Sequence, residues 1–174
     1  MAESMAAIRQ RRDEDVEECV ALLHRVHDHE GYPRGTNDFR HFITYGMREA
    51  WVGELDTDII GHIAVADAKP TDLAVSTWRR VRPGDSNIGL VERLYVHPNA
   101  RRKGIAEALL EAAAAYGRAN GTRLVLFVLV ANQAALRLYQ RAGWEEYGTG
   151  SFRFGENHEK EMHAICFASP RNST

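Results

Sequence analysis

Only two cysteines and five prolines occur in 174 residues, no apolar run is long, and neither sign of charge dominates. Each scarcity excludes something. Two thiols are too few for a disulfide framework, and Cys19 and Cys166 lack the close spacing of a zinc-binding pair. Cys19 and Cys166 both sit on apolar patterns, so reduced core thiols are expected. The longest apolar stretch, "LVLFVLVA" from Leu124 to Ala131, falls far short of the roughly 20 residues that cross a bilayer, and no membrane partner is expected. A net charge of −2 supplies no global field for nucleic acid or an acidic surface. With no aromatic-studded strand motif beside the basic stretches, no nucleic-acid partner is expected either. The opening "MAESMAAIRQRRDED" lacks the apolar centre of a signal peptide, and Glu3, Asp13 and Glu14 argue against a transit peptide. A cytoplasmic protein is the expectation.

What is present suits one core. Hydrophobic residues make up 44% and charged residues 26%, ordinary values for a globular chain. The reading is a single domain over residues 1–168, with a disordered tail over 169–174. "AIRQRR" reads as a strand. Asp13 then offers an N-cap, and Val16, Cys19, Val20, Leu23 and Val26 mark one face of a helix to about Asp28. "GYPRGTND" breaks it, and Asn37 or Asp38 caps a short second helix through Tyr45. "AWVGELDTDIIGHIAVAD" is a hairpin turning at Asp56-Thr57-Asp58. Residues 69–85 form a long excursion with a turn of helix around "LAVSTWRRV". A strand (Ser86–Val96), a helix (Gly104 to about Asn120), an all-apolar strand (Arg123–Val130), another helix (about Asn132–Ala142) and two strands (Glu145–Phe154, Glu159–Phe167) follow. An all-apolar strand in a strand–helix–strand run argues for a parallel neighbour, while the ends look antiparallel. The class is therefore α/β, a central mixed sheet of about six to seven strands flanked by about four helices. The C-terminal "EMHAICFA" is an edge that is expected to pair between chains in a homodimer.

One stretch is harder to explain as structure alone. "VERLYVHPNARRKGIAEALL" sets Arg101, Arg102 and Lys103 against the start of a helix, where the macrodipole already disfavours cations. Helix N-termini carry unpaired N–H groups and bind phosphates readily. Gly104 has no side chain to keep an anion from the backbone, and small Ala106 preserves that approach. A solvated basic loop is the alternative. Downstream, "VANQAALRLYQRAGWEEYG" places Asn132 at a strand end as a helix cap, Ala135, Leu138 and Tyr139 along the helix, and Gly143-Trp144 at its stop.

Taken in order, Arg101-x-x-Gly104-x-Ala106 resembles the acyl-CoA pyrophosphate loop of the GNAT superfamily of N-acetyltransferases. "RLYVHP" is similar to its central strand, and Asn132-x-x-Ala135-x-x-Leu138-Tyr139-x-x-x-Gly143-Trp144 to its later motif. The resemblance covers Leu90–Trp144. It implies a bulged central strand splayed from its parallel neighbour, with acetyl-CoA as donor. Backbone groups of Leu94, Tyr95 and Val96 would hold the pantetheine arm, and the loop Arg101, Arg102, Lys103, Gly104, Ile105 and Ala106 the pyrophosphate. Asn132 would meet the pantetheine, and Tyr139 the thioester sulfur as general acid. A helix aromatic packed in the core is the alternative for Tyr139.

A lysine-like amine has a pKa near 10.4, so its neutral form at pH 7 costs about 4.6 kcal/mol. A general base must manage that proton. Glu92 interrupts "LVERLYV", and family members often carry a glutamate at a similar place. A salt bridge to a neighbouring arginine is the alternative. The oxyanion of the reaction would rest on a strand N–H at Tyr95 or Val96. The expected reaction is direct acetyl transfer to a primary amine of a small molecule or protein. A non-catalytic acyl-CoA sensor or assembly subunit is the rival. The acceptor side of the resemblance points to "HRVHDHEGYPRGTND" and residues 69–85, with His27, Tyr32 and Trp78 as pocket walls. His24, His27 and His29 lack paired cysteines or an HExxH spacing, so no metal is expected.

Overall fold

A computed structural model of the protein describes residues 5–171. Its contacts divide the chain into two compact units: residues up to Ala66 together with Glu92–Ala113, and Asp67–Val91 together with the chain from Ala114 onward.

The first unit opens with β1 (Ala7–Gln10), a 3-10 turn (Asp13–Asp15) and α1 (Val16–Glu30). The capping acid is Asp15, not the expected Asp13. Asp15 accepts from the Arg12 amide at 2.6 Å and takes a two-point grip from Arg9 at 2.7 and 2.9 Å. That partner lies on β1, so local sequence could not rank the two aspartates. α1 buries Val16, Cys19, Leu22, Leu23 and Val26, the stripe its 3.6-residue spacing predicts. α2 (Phe39–Thr44) is capped by Asp38, which accepts from the His41 amide at 3.0 Å. β2 (Met47–Leu55) and β3 (Asp58–Asp67) form the expected antiparallel hairpin. The unit also holds the later part of β4 (Ile88–Val96) and the first part of α4 (Ile105–Ala119). Its core gathers the α1 stripe with Phe39, Ile43, Val52, Ile59 and Tyr95. Burying each large apolar side chain is worth about 1.5–3 kcal/mol.

Two glycines position the start of α4. A Cβ on Gly61 would stand 2.9 Å from Leu109 Cδ1, and one on Gly53 would stand 3.1 Å from Ile105 Cγ2. Bare backbone on both hairpin strands lets the helix lie flat there.

The second unit carries α3 (Leu73–Val81), the early part of β4, the later part of α4, β5 (Arg123–Leu129), α5 (Gln133–Arg141), β6 (Glu145–Phe154) and β7 (Lys160–Ala168). β4 runs parallel to β5, with Ile88 opposite Arg123 and Leu90 opposite Val125. β7 pairs antiparallel with β5 and with β6. α3 sits on β6: Tyr147 donates to the Ala74 carbonyl at 2.6 Å, and the indole N–H of Trp78 donates to the Asp85 carbonyl at 3.0 Å.

The seven strands form one mixed sheet in the order β1-β2-β3-β4-β5-β7-β6, the α/β architecture expected. Five α-helices occur among the described residues, close to the number expected, with the excursion 69–85 containing all nine residues of α3, capped by Asp72. One expectation needs correction. The C-terminal strand is not an edge, since β7 lies between β5 and β6 and both its sides are paired. Ser169, in the expected tail, accepts from the Leu124 amide through its hydroxyl at 3.0 Å and is buried. Residues 172–174 of that tail lie outside the described residues.

Candidate active site

In the first unit, β4 runs through His97 into a 3-10 turn (Pro98–Ala100) and then the basic loop. Arg102 and Gly104 take left-handed backbone angles, φ 64° and 75°. A Cβ on Gly104 would meet nothing within 4 Å, and Arg102 and Lys103 are exposed. Ile105 is buried, anchored over Gly53 and Gly61, and Ala106 is half-buried. The helix therefore presents its first amides beside open space, a concavity suited to an anion. Arg101 behaves differently from its neighbours. Its guanidinium grips Glu30 at the end of α1 at 2.8 and 2.9 Å and reaches the Val96 carbonyl at 3.4 Å. Its charge is thus matched within the protein, leaving Arg102 and Lys103 as the outward cations of the loop.

β4 carries the expected irregularity. Arg93 has φ 58°, outside the extended region, so strict alternation of side chains fails there. Glu92 is half-buried while Arg93 is buried. Arg93 Nη1 stands 3.1 Å from Glu92 Oε2, yet that oxygen has no aligned hydrogen bond, nor has Arg93 Nε. The two charges touch without bonding geometry, so each retains hydrogen-bonding capacity. The guanidinium lies 4.8 Å over the Phe42 ring and donates to Met47 Sδ at 2.7 Å.

The bulge is held from behind by His62. It is fully buried, with Nδ1 2.9 Å from the Arg93 carbonyl and Nε2 2.9 Å from Arg11 Nη1. A carbonyl can only accept and a guanidinium can only donate, so the imidazole is neutral with its proton on Nδ1. Burial, reinforced by the cations Arg11 and Arg93, pushes its pKa down to about 3, against the opposing effect of the hydrogen bond it donates to the Arg93 carbonyl. The His62 ring stacks on Tyr95 with centroids 5.0 Å apart, and the Tyr95 hydroxyl donates to the Cys19 carbonyl at 3.0 Å. The Tyr95 side chain is therefore core, which leaves only its backbone for a ligand. Leu94 is half-buried and Val96 buried.

Of the expected acceptor residues, Tyr32 joins this cluster, with its ring 6.1 Å from Phe42 and 6.5 Å from Tyr95. His27 lies against Phe39 at 5.1 Å with its Nδ1 buried and unbonded. Trp78 belongs to the second unit, where it is 2% exposed and bound to Asp85. In that unit Asn132 caps α5, its Oδ1 accepting from the Ala135 amide at 3.1 Å. Tyr139 is buried near Trp144 and Phe167, at 6.0 and 5.8 Å. Burial pushes its phenol above the ordinary value, so it stays a protonated donor. His62 and Arg93 were not singled out from the sequence. The legible signal was a lone histidine inside apolar "IIGHIAVAD" and a cation inside "LVERLYV".

The acetyltransferase (GNAT) family model matches residues 13–144, and the chain belongs to that family. An uncharacterized N-acetyltransferase of Methanocaldococcus jannaschii is 39% identical over 57 residues, 32% of this chain and 25% of that protein. The mycothiol acetyltransferase of Salinispora arenicola is 39% identical over 74 residues, 40% of this chain and 24% of that protein. The chain thus spans about a quarter of the length of these curated relatives. Among solved structures, NAA60 of Arabidopsis thaliana in complex with acetyl-CoA superposes with a TM-score of 0.69 at 19% identity, covering 94% of this chain and 97% of that one. At that identity the likeness concerns the fold.

Proposed function

We propose that the protein is an acetyl-CoA-dependent N-acetyltransferase that moves an acetyl group directly to a primary amine. The observation that carries this reading is the loop before α4: two left-handed residues, two outward cations and open space over Gly104 at a 15-residue helix start. The donor brings an activated thioester. The amides of Arg102 to Ala106 are suited to its diphosphate, with Lys103 and Arg102 adding charge. Leu94 to Val96 offer strand backbone to its arm, and a backbone N–H of Tyr95 or Val96 donates to the carbonyl oxygen as charge builds there. Glu92 takes the amine's proton, directly or through water. In the second unit, Asn132 offers its side-chain amide to the arm, and Tyr139 supplies the proton that the departing sulfur needs. The phenol is protonated at neutral pH, and burial, which raises its pKa, makes it a weaker acid that depends on the basicity of the departing thiolate.

The test is thermal stabilisation by acetyl-CoA combined with thiol release over mixed amines and mass analysis of the product. Gly104→Ala is the informative variant. Its Cβ meets open space, so the fold bears only the cost of a left-handed alanine, about 1 kcal/mol. The added methyl stands where the diphosphate approaches, and affinity for acetyl-CoA should fall about tenfold or more. Absence of both stabilisation and thiol release in the parent protein would overturn the reading.

A further inference from the structure

Two neighbouring residues of the first unit present buried polar atoms of opposite character with no hydrogen-bond partner. Glu92 Oε2 is an acceptor and Arg93 Nε a donor. A self-satisfied ion pair would align its N–H bonds with its carboxylate. Here the contact is only Nη1 to Oε2 at 3.1 Å, without the alignment of a hydrogen bond. A guanidinium has five N–H donors. This one uses a thioether, a weak acceptor, and rests its face on Phe42. The residue is 6% exposed, so water meets little of the remaining demand, and a buried donor left unmet is costly. Burial lowers its pKa while Glu92 opposes that shift, but a guanidinium stays charged at any ordinary pH. An oxyanion is the group that would meet this demand.

We propose that Arg93 determines the acceptor, and that the acceptor carries a carboxylate on the carbon bearing its amine: an α-amino acid rather than a polyamine, a lysine side chain or a peptide N-terminus. The inference rests on the assignment of Glu92 as the group that meets the amine. Glu92 Oε2 lies 3.1 Å from the Arg93 guanidinium at Nη1, so a ligand that meets both the carboxylate and the unpartnered Nε of that group needs its ammonium and carboxylate close together. An α-amino acid places them two bonds apart. A planar guanidinium suits a carboxylate in particular, because two parallel N–H bonds match its two oxygens.

The experiment compares thiol release from acetyl-CoA with the common α-amino acids, the same compounds as carboxamides, and spermidine. The free acids should exceed their amides in kcat/KM by at least about tenfold. Arg93→Met should raise KM for the preferred acid about 10–100-fold and cost its amide far less, and Arg93→Lys should recover part of the loss. Calorimetric titration of the same acids into the parent and the Arg93→Met protein, with coenzyme A present, reads binding without turnover. Arg93-dependent binding without thiol release would sink the transfer reading and leave this one standing. Amides turned over as well as acids, an equal loss for both in Arg93→Met, or no acid bound or acetylated by the parent protein would overturn it.

Discussion

His62 should make the protein's stability depend on pH between about 4.5 and 7.5, and the structure sets the sign and size. Folding takes this imidazole from a pKa of 6.5 down to about 3. Over that interval the unfolded chain holds a proton that the folded chain excludes. The contribution is therefore complete above 6.5 and lost as pH falls toward 3. Integrating the linkage, about 1.4 kcal/mol should disappear between about pH 7.5 and 5.5, and about 2.7 kcal/mol by pH 4.5. The groups facing the ring leave no relief, since Arg11 and Arg93 are cations and Tyr95 covers one face. The assay is urea unfolding of the parent and His62→Gln at several pH values, reading the difference between them so that carboxylate titrations cancel. At about pH 7.5 the variant should be less stable by roughly 1–3 kcal/mol, because glutamine holds the buried Arg93 carbonyl poorly. The gap should narrow steadily as the medium is acidified. A gap constant across pH would mean that His62 titrates freely in the folded state, and the neutral-imidazole account of the bulge would be wrong.

Other expectations test other parts of the molecule. A Cβ on Gly148 would stand 2.6 Å from Thr77 Cγ2, so Gly148→Val should destabilise by about 1–3 kcal/mol through overpacking under α3. Gly84→Ala, with open space around it, should change little, and similar urea midpoints for the two would contradict the packing argument. Tyr139→Phe should slow thiol release by about 10²-fold or more with acetyl-CoA affinity nearly intact. Since burial raises its pKa above the ordinary 10, the parent rate should show no alkaline loss from this phenol below that value. Unchanged release in the variant would remove Tyr139 from the acid role. Glu92→Gln should depress the rate most below neutral pH, where the amine is most protonated, and a flat ratio across pH would return Glu92 to its ion pair with Arg93.

Much of the fold lay in local signals. β6 occupies the stretch expected for it, and α1, α4 and α5 lie within a few residues of the helices expected. Asn132 caps the helix it was expected to cap, and of the two candidates Asn37 and Asp38 it is Asp38 that caps α2. Such features depend on groups a few residues apart, and a linear reading captures them. The basic loop was legible for the same reason, because a glycine and three cations at a helix start need no distant partner to be unusual.

Tertiary structure decided what depends on partners far along the chain. Asp15 outranks Asp13 because Arg9 folds back onto it and is itself held by Glu54. Arg101 reads in the sequence as one more cation of the loop, and its ion pair with Glu30 arises because α1 brings that carboxylate to it across 71 positions. β7 became an inner strand because strand order is set by which sheet edge the returning hairpin covers, and alternation carries no record of that. Arg93 reads in the sequence as an ordinary strand cation. Its burial comes from a backbone angle that His62, 31 positions away, holds in place. Short-range stereochemistry and hydrophobic period thus determined the elements and their caps. Which charges are spent within the protein, and which remain for a ligand, followed only from long-range contacts, because a side chain's charge is neutralised by what lies beside it in space.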